Sequence, residues 1–299
     1  MPSRSTFSVW GLSASLVTTE ADAHAEALDI TQHILEDMTR AASRFLDDSE
    51  LTALNAAEGP FTLSPLLRQV YDAAFAAWRM TDGACDPTVH AALLASGYDT
   101  DFDALPTDAS RPLHSTPSPG LGGVSLDEAT NVLRRPDGVT FDFGATAKAL
   151  TCDLIADAVA PLSGVCIELG GDVAVRGPAP EGLWAIGVAT SLPLTGNEPR
   201  VGLHHGAVAT SSSGWRSWQL NGQRMHHLID PRTGAPSTSP FLAASVSAAD
   251  CVTANAFATA CVVWGDEALH RVIQSGWSAR VVTIEGDVLT VGGWPEDTK

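Results

Sequence analysis

Hydrophobic residues follow a helical spacing in the first third of the chain. Over 20–45, apolar side chains recur every three to four positions and polar or acidic ones fill the opposite side, which predicts a long amphipathic helix. Residues 64–80 show the same pattern, with an expected end at 81–83. Between the two, Ser49 is suited to cap a shorter helix. Ahead of them, residues 6–18 mix apolar and small polar side chains and predict a strand or hairpin.

Beyond residue 120 the pattern changes to short apolar or alternating runs, which predict strands. The predicted strands cover 123–126, 131–134, 139–143, 165–169, 173–176, 183–188, 207–210, 217–220, 226–229, 242–247, 278–284 and 288–291. Helices are predicted among them at 145–159, 254–264 and 267–275. Helices followed mostly by strands are typical of an α+β fold, so we expect N-terminal helices packed with a mostly antiparallel, multi-stranded sheet. The polar segment 98–120, rich in Pro, Ser and Asp, is predicted to be a surface loop.

The balance of charge limits the partners that the chain can bind. It carries 17 Lys and Arg against 35 Asp and Glu, a formal net charge of -18. Nucleic-acid binding needs clustered cations, so this balance argues against a nucleic-acid partner. An anionic small molecule can still bind where a lysine, a helix N-terminus or a divalent metal neutralises it locally.

The sequence also predicts a compartment. No apolar run approaches the roughly 20 residues that a membrane-spanning helix needs. The first residues lack the charged-then-apolar pattern of a signal peptide, so we expect a cytoplasmic protein. Five scattered cysteines without a Cys-x-x-Cys pair suit buried thiols better than a disulfide or zinc framework.

The first candidate site is the run from Val139 to Leu150. A predicted strand meets Gly144 and a helix follows, which exposes backbone N–H groups at the positive helix end to a phosphate or a metal–phosphate group. Asp142 and Lys148 bracket this turn with opposite charges. The alternative is an ordinary strand-to-helix turn with a capping aspartate and a solvated lysine.

A second candidate is the turn-rich segment 81–88. Gly83 permits an unusual backbone conformation and Pro87 restricts Asp86 to extended geometry. A turn of small residues with exposed backbone can lie flat against a planar ligand. The alternative is a helix connection in which Asp86 or Thr88 caps the following helix.

Two further candidates lie in the last third of the chain. On the predicted strand 226–229, alternation places His226 and His227 on opposite faces, so one of them is a candidate general base rather than both being ligands of one metal. A structural histidine pair is the alternative. Asn255 and Thr259 are four residues apart on a predicted helix, where two side-chain oxygens can meet a hard cation. The alternative there is close packing of a helix of small residues against a sheet.

Taken together, the order and spacing of these motifs resemble those of the ApbE-type flavin transferases, the FAD:protein FMN transferases. The matching segments are Trp10-Gly11-Leu12, Ser43-Arg44-Phe45, Ser49–Asn55, Thr81–Thr88, Asp142–Ala149, Leu169–Asp172, Ala209–Ser211, His227–Gly234 and Ala254–Ala260. They extend over roughly residues 7–292, and the resemblance implies one domain over 1–299 with an ApbE/T-fold-like architecture.

The resemblance implies an enzyme that binds FAD with Mg²⁺, cleaves the pyrophosphate, transfers FMN to a Ser or Thr hydroxyl of an acceptor protein, and releases AMP. Carried over by motif, the residues in contact with FAD are Trp10, Phe45, Ala84, Cys85, Asp86, Asp142, Lys148 and Leu228. The metal would be held by the main-chain carbonyl of Ala145 and the side chains of Asn255 and Thr259. His227 matches the proposed general base, and Lys148 would add a second cation at the phosphates.

One departure from the family pattern bears on the metal. Asn255 stands where the family has an aspartate, so the predicted site loses a formal negative charge. Three aspartates are candidates to replace that charge: Asp142, Asp172 and Asp250. Leu12 for threonine and Cys85 for phenylalanine are further differences. An FMN transferase is the favoured interpretation, and a metal-dependent FAD pyrophosphatase or a flavin-binding carrier without catalysis are the alternatives.

Overall fold

The computed structural model describes residues 1–106, 108–190 and 196–294 of the chain. The α-helices in these segments are α1 (His24–Ala42), α2 (Glu50–Ala56), α3 (Pro65–Met80), α4 (His90–Ala95), α5 (Gly144–Val159), α6 (Cys251–Trp264) and α7 (Asp266–Gln274). Each helix predicted from periodicity is present, and α1 is shorter at both ends than its apolar pattern suggested.

The strands of the same segments are β1 (Ser3–Val9), β2 (Leu12–Thr18), β3 (Phe61–Thr62), β4 (Asp108–Ala109), β5 (Ser125–Asp127), β6 (Val132–Arg134), β7 (Val165–Leu169), β8 (Asp172–Arg176), β9 (Trp184–Gly187), β10 (Arg200–Leu203), β11 (Gly206–Ser212), β12 (Ser217–Leu220), β13 (Gln223–His226), β14 (Ile229–Asp230), β15 (Ala235–Pro236), β16 (Phe241–Ala248), β17 (Ser278–Thr283) and β18 (Val288–Val291). Eight of them form one sheet in the order β1-β2-β7-β8-β11-β16-β17-β18. All neighbouring strands in this sheet are antiparallel. The predicted α+β class with a mostly antiparallel sheet is confirmed.

Helices α5 and α6 pack together on this sheet, α5 against β7 and β8, and α6 against β11 and β16. Helices α1 and α3 pack on α5, and α3 also contacts α6. Because α6 lies between the sheet and α3, 12 of its 14 residues are buried. Its run of Ala, Cys, Val and Thr suits that position, since a helix enclosed on several sides has no broad polar face.

Capping residues fix where the helices begin. The Ser49 hydroxyl accepts a hydrogen bond from the N–H of Thr52 at 3.0 Å, as predicted, and Ser64 caps α3 in the same way. Asp250 caps α6. At the predicted end of α3, Gly83 adopts a φ of 92°, which an L-residue tolerates poorly.

The predicted strand over 139–143 is wrong. This segment is extended, but it joins no sheet in the described residues. The Asn55 side chain accepts from the N–H of Phe141 and donates to its carbonyl oxygen, both at 2.8 Å. The N–H of Asp142 donates to the carbonyl oxygen of Pro87 at 2.8 Å. The backbone is therefore satisfied by a side chain and a loop instead of a neighbouring strand.

Two further predictions are corrected. The expected strand over 226–229 is broken, because β13 ends at His226 and β14 starts at Ile229. The segment 98–120 is not a simple surface loop: Tyr98 is buried, Phe102 packs in the same apolar cluster, and β4 pairs with β12. The segment also includes residue 107, which lies outside the described residues. Strand β10, the antiparallel partner of β9, was not predicted.

Candidate active site

A cleft of about 1150 Å³ is lined by the β1–β2 turn, the β7–β8 turn, the last residues of β11 and the first turn of α5. Its volume exceeds the roughly 300–1,000 Å³ of a typical drug-sized ligand site, so it can take a dinucleotide. All twelve residues predicted for the site line it: Trp10, Phe45, Ala84, Cys85, Asp86, Asp142, Ala145, Lys148, His227, Leu228, Asn255 and Thr259. The structure therefore brings the whole predicted set together, and their chemical roles remain predictions.

Asp142 organises the entrance to α5. One carboxylate oxygen accepts from the N–H of Gly144 at 2.8 Å, and the other pairs with Nε of Arg44 at 2.7 Å. A Cβ at position 144 would lie 2.9 Å from the Asp142 carboxylate, so a larger residue there would displace this carboxylate from its present contacts. Asp142 fits both the structural and the ligand-site interpretation, because it caps the turn and also lines the cleft.

Lys148 pairs with Asp172 rather than with Asp142. Its Nζ lies 2.7 Å from Oδ2 of Asp172, the first residue of β8. The Asp172 side chain has no exposed surface, whereas the Lys148 side chain is 19% exposed toward the cleft. From α6, the Nδ2 group of Asn255 donates to both oxygens of Asp172, at 3.0 and 3.1 Å. Three elements thus meet at one buried carboxylate.

The other end of the Asn255 amide suits a cation. Its Oδ1 is buried and has no hydrogen-bond partner among the described residues. Such an atom is costly unless a ligand satisfies it. Thr259 lies one helical turn further on, with its hydroxyl 3.0 Å from that of Ser211, and Ala145 lines the same cleft. Amide, hydroxyl and carbonyl groups offer hard oxygen ligands, the kind that suits Mg²⁺ together with phosphate oxygens and water.

A metal site with nitrogen or sulfur ligands would instead bring several His or Cys side chains together. The described residues hold no group of three or more His, Cys, Asp or Glu side chains placed to bind one metal ion. The donor set at Asn255 and Thr259 is neutral oxygen, which suits a hard cation shared with an anionic ligand.

His227 lies in the connection between β13 and β14. Its Nδ1 is 3.4 Å from the carbonyl oxygen of Arg216. That acceptor favours a proton on Nδ1, which leaves Nε2 free to accept one. Burial, followed by the nearby Arg216 charge, lowers the pKa of His227 from 6.5 to about 3. The imidazole is therefore neutral at physiological pH.

The two adjacent histidines have different surroundings. Nε2 of His226 lies 3.0 Å from the carbonyl oxygen of Ser237, and its side chain does not line the cleft. His227, Leu228 and Ile229 all line it. The predicted alternation of side chains between the two faces of a strand is not observed, because the strand breaks between His226 and Ile229. Three consecutive residues can therefore face the cleft.

Aromatic side chains form another wall of the cleft. The Arg44 guanidinium lies 4.0 Å from the ring centre of Phe45 and 4.3 Å from that of Tyr98, a cation–π stack. Phe45 is exposed, at 38%. Trp10 has a φ of 52° and donates from Nε1 to the hydroxyl of Thr39 at 2.8 Å, which fixes its indole. Flat, fixed faces of this kind suit a planar heterocycle.

The 84–86 turn forms a firm floor. The N–H of Cys85 donates to the Thr81 hydroxyl at 3.0 Å. Asp86 accepts from the N–H and the hydroxyl of Thr88, at 2.8 and 2.7 Å, which is the capping role of the alternative interpretation. Burial raises the pKa of the Cys85 thiol to about 12, so this cysteine is not a thiolate nucleophile at neutral pH.

Comparison with known proteins identifies the family. A sequence model described as the ApbE family matches residues 10–295. The chain belongs to the ApbE family. A protein of Treponema pallidum named FAD:protein FMN transferase is 30% identical, over 83% of this chain and 73% of its own. One of the same name from Chlamydia trachomatis is 28% identical, over 80% and 76%. The predicted family and the prediction of a transferase enzyme are confirmed.

Solved structures agree with the ApbE fold. The chain resembles an ApbE protein of Thermotoga maritima with a TM-score of 0.84 and 24% identity, covering 97% of this chain and 96% of the other. For the flavin transferase ApbE of Vibrio cholerae the TM-score is 0.76 and the identity 20%, with coverage of 97% and 96%. Identities this low show a common architecture.

The residues of this ApbE cleft that were not predicted from the sequence include Arg44, Tyr98 and Arg216. Arg44 lay inside a matched motif, and its position between Ser43 and Phe45 was the available signal. Tyr98 belongs to the segment that the sequence predicts to be a surface loop. Arg216 donates to the Trp10 carbonyl oxygen and to the Tyr98 hydroxyl, both at 3.3 Å, and no motif marked it.

Acidification between about pH 6.5 and pH 5 is expected to remove the stability that three buried neutral histidines contribute to the ligand-free protein. Burial lowers the pKa values of His90, His226 and His227, so the unfolded chain binds protons in this range that the folded protein does not. The histidine contribution to the free energy of unfolding therefore falls as pH falls, whereas Asp153, whose pKa burial raises to about 6, takes up a proton in the folded protein and contributes in the opposite direction. Thermal unfolding measured across this range tests the prediction. His227→Gln should show a smaller loss of Tm, and an unchanged pH dependence in that variant would contradict the assignment of the shift to His227.

Proposed function

We propose that this ApbE-family protein is a Mg²⁺-dependent FAD:protein FMN transferase that attaches FMN to a Ser or Thr hydroxyl of an acceptor protein and releases AMP. One observation carries the proposal: the unpartnered Oδ1 of Asn255, the Lys148 cation and the neutral His227 line a single dinucleotide-sized cleft. Together these groups supply cation binding, anion neutralisation and proton acceptance, which phosphoryl transfer requires.

The cleft offers separate surfaces for the parts of FAD. Trp10, Phe45, Leu228 and the 84–86 turn present apolar or aromatic surface to planar rings. The N-terminus of α5 and Lys148 present positive charge to the diphosphate. This local positive charge is needed because the net charge of -18 would otherwise repel an anionic diphosphate.

Asn255 Oδ1, the Thr259 hydroxyl and the Ala145 carbonyl would hold the Mg²⁺ ion. When bound, Mg²⁺ supplies neutralisation of the charge on the phosphate oxygens. The protein's part is to present these oxygens from two rigid helices, α5 and α6, which pack on each other.

His227 would act as the general base. Its Nε2 takes the proton of the acceptor hydroxyl as that oxygen bonds to the phosphorus on the FMN side of the pyrophosphate. The bond from this phosphorus to the bridging oxygen breaks, and AMP leaves with that oxygen. Lys148 lies where it can offset charge on the phosphates. A bound diphosphate near His227 opposes the effect of the Arg216 charge and raises the pKa of the imidazole from its ligand-free value of about 3.

The acceptor separates this proposal from the two alternatives. A pyrophosphatase would use the same cleft with water in place of the hydroxyl and release FMN and AMP. A carrier would bind FAD without turnover. His227 favours catalysis over storage, because a neutral imidazole open to the cleft adds nothing to the binding of an anion.

A single assay distinguishes the three. The protein is incubated with FAD, Mg²⁺ and a flavodoxin-like or quinone-reductase-subunit acceptor, and the acceptor is examined for in-gel flavin fluorescence while AMP is quantified. Labelled acceptor with equimolar AMP is the expected result. Free FMN without labelled acceptor would support the pyrophosphatase, and tight FAD binding without AMP would support the carrier.

In the described part of the chain, no helix combines the length and apolar character needed to cross a bilayer. The cytoplasmic location is proposed from the sequence alone.

A further inference from the structure

Asp172 lies beside the proposed metal site but has no role in the proposed transfer step. It follows the diglycine of the β7–β8 turn, where Gly170 and Gly171 have φ values of 55° and 94°. Its carboxylate is fully buried, paired with Lys148 at 2.7 Å and hydrogen-bonded to the Asn255 amide. Buried charge is expensive, so a carboxylate enclosed this way needs the partners it has.

The carboxylate determines which way the Asn255 amide points. An ionised carboxylate only accepts hydrogen bonds, so the amide must turn its NH₂ group toward Asp172. Its Oδ1 is then directed away from Asp172, and this oxygen is the buried atom without a partner among the described residues. Asp172 thus converts an amide with two possible orientations into one that presents an oxygen.

The negative charge that is missing at Asn255 also points to Asp172. The ApbE pattern has an aspartate where this chain has Asn255, and three aspartates were candidates to restore the charge. Asp142 is held by Arg44 and the N–H of Gly144. Asp250 caps α6 through the N–H and hydroxyl of Thr253. Asp172 is the one of the three whose carboxylate accepts hydrogen bonds from Asn255.

We propose that Asp172 is the positioning residue that makes the neutral Asn255 a competent Mg²⁺ ligand, by fixing its amide and by returning the missing negative charge within hydrogen-bond distance. The inference deepens the proposed function and rests on its metal site. One carboxylate on β8 and one amide on α6 therefore meet beside the proposed metal site.

A swap experiment tests this directly. The variants are Asp172→Asn, Asn255→Asp and the double variant that exchanges the two residues. Mn²⁺ affinity is followed by electron paramagnetic resonance of the free ion, and Mg²⁺ affinity by calorimetry, both on the full chain without acceptor. The metal is read directly, so the result does not depend on FMN transfer.

Asp172→Asn should weaken metal binding by about 10- to 100-fold, the usual effect of losing a residue that orients a ligand. Asn255→Asp should tighten it, because a charged carboxylate oxygen then replaces the neutral amide oxygen that faces the ion. The double variant should bind no more than about 3-fold more weakly than the wild type, since the net charge is unchanged and the carboxylate now supplied by α6 can still accept a hydrogen bond from an amide at position 172. This rescue separates positioning from a general structural role, and it remains informative if Asp172→Asn alone does not fold.

Asp250→Asn is the matched control. It makes the same substitution at the start of α6 outside the cleft, and asparagine caps a helix about as well as aspartate. Its metal affinity should match the wild type. Unchanged metal binding in Asp172→Asn or in Asn255→Asp, or a double variant as weak as Asp172→Asn, would overturn the inference. If the wild type and the variants bind metal as expected but the wild type transfers no FMN, the proposed function is wrong and this inference still holds.

Discussion

Replacing His227 by alanine is expected to lower the rate of FMN transfer by about 100- to 10,000-fold while FAD binding is retained. The loss is expected because the imidazole is the one neutral nitrogen base found among the described residues that line the cleft. FAD binding should persist because the aromatic and cationic surfaces of the cleft lie on other elements. Single-turnover labelling of an acceptor, with FAD affinity measured by flavin fluorescence, separates the two effects.

His226→Gln is the control for His227→Ala. Its ring is turned to the Ser237 carbonyl oxygen outside the cleft, so the transfer rate per folded molecule should stay near that of the wild type. Transfer at the original rate in His227→Ala would remove the general-base assignment. A parallel loss of FAD affinity would mean that His227 contributes mainly to binding.

The fold was predictable where apolar periodicity reports burial directly. The pattern in α1 and α3 reflects one buried face each, and short apolar runs marked most strands of the main sheet. Prediction failed over 139–143, where the partner of Phe141 is the side chain of Asn55, 86 residues away in the chain. An extended apolar segment looks the same in sequence whether a strand or an amide satisfies its backbone.

The candidate site shows a similar limit. Motifs marked which residues line the cleft, because backbone-determined features such as Gly144 and the Asp86 cap leave sequence signals. They did not show which groups pair. Lys148 seemed to belong with Asp142 six residues earlier, yet it pairs with Asp172 across the α5–β8 packing. Contacts between distant elements depend on tertiary geometry, which one sequence does not contain.

Lys148→Met is expected to have two separable effects. It leaves the Asp172 carboxylate buried without its cation, which should lower the free energy of unfolding by on the order of 3 kcal/mol. It also removes the side-chain cation that lines the cleft beside Asp172, which should lower FMN transfer by about 100- to 1,000-fold. Denaturant unfolding measures the first effect, and acceptor labelling under conditions where the variant stays folded measures the second.

The double variant Lys148→Met/Asp172→Asn distinguishes these effects. Neutralising both members of a buried pair removes the uncompensated charge, so most of the lost stability should return. Transfer should remain low, because the phosphates still lack the lysine and Asn255 has lost its orienting carboxylate. Stability that returns together with transfer would show that Lys148 acts only through the fold. Full transfer in the single variant would place the phosphates away from Lys148, and would leave the N-terminus of α5 as the main source of positive charge at the diphosphate.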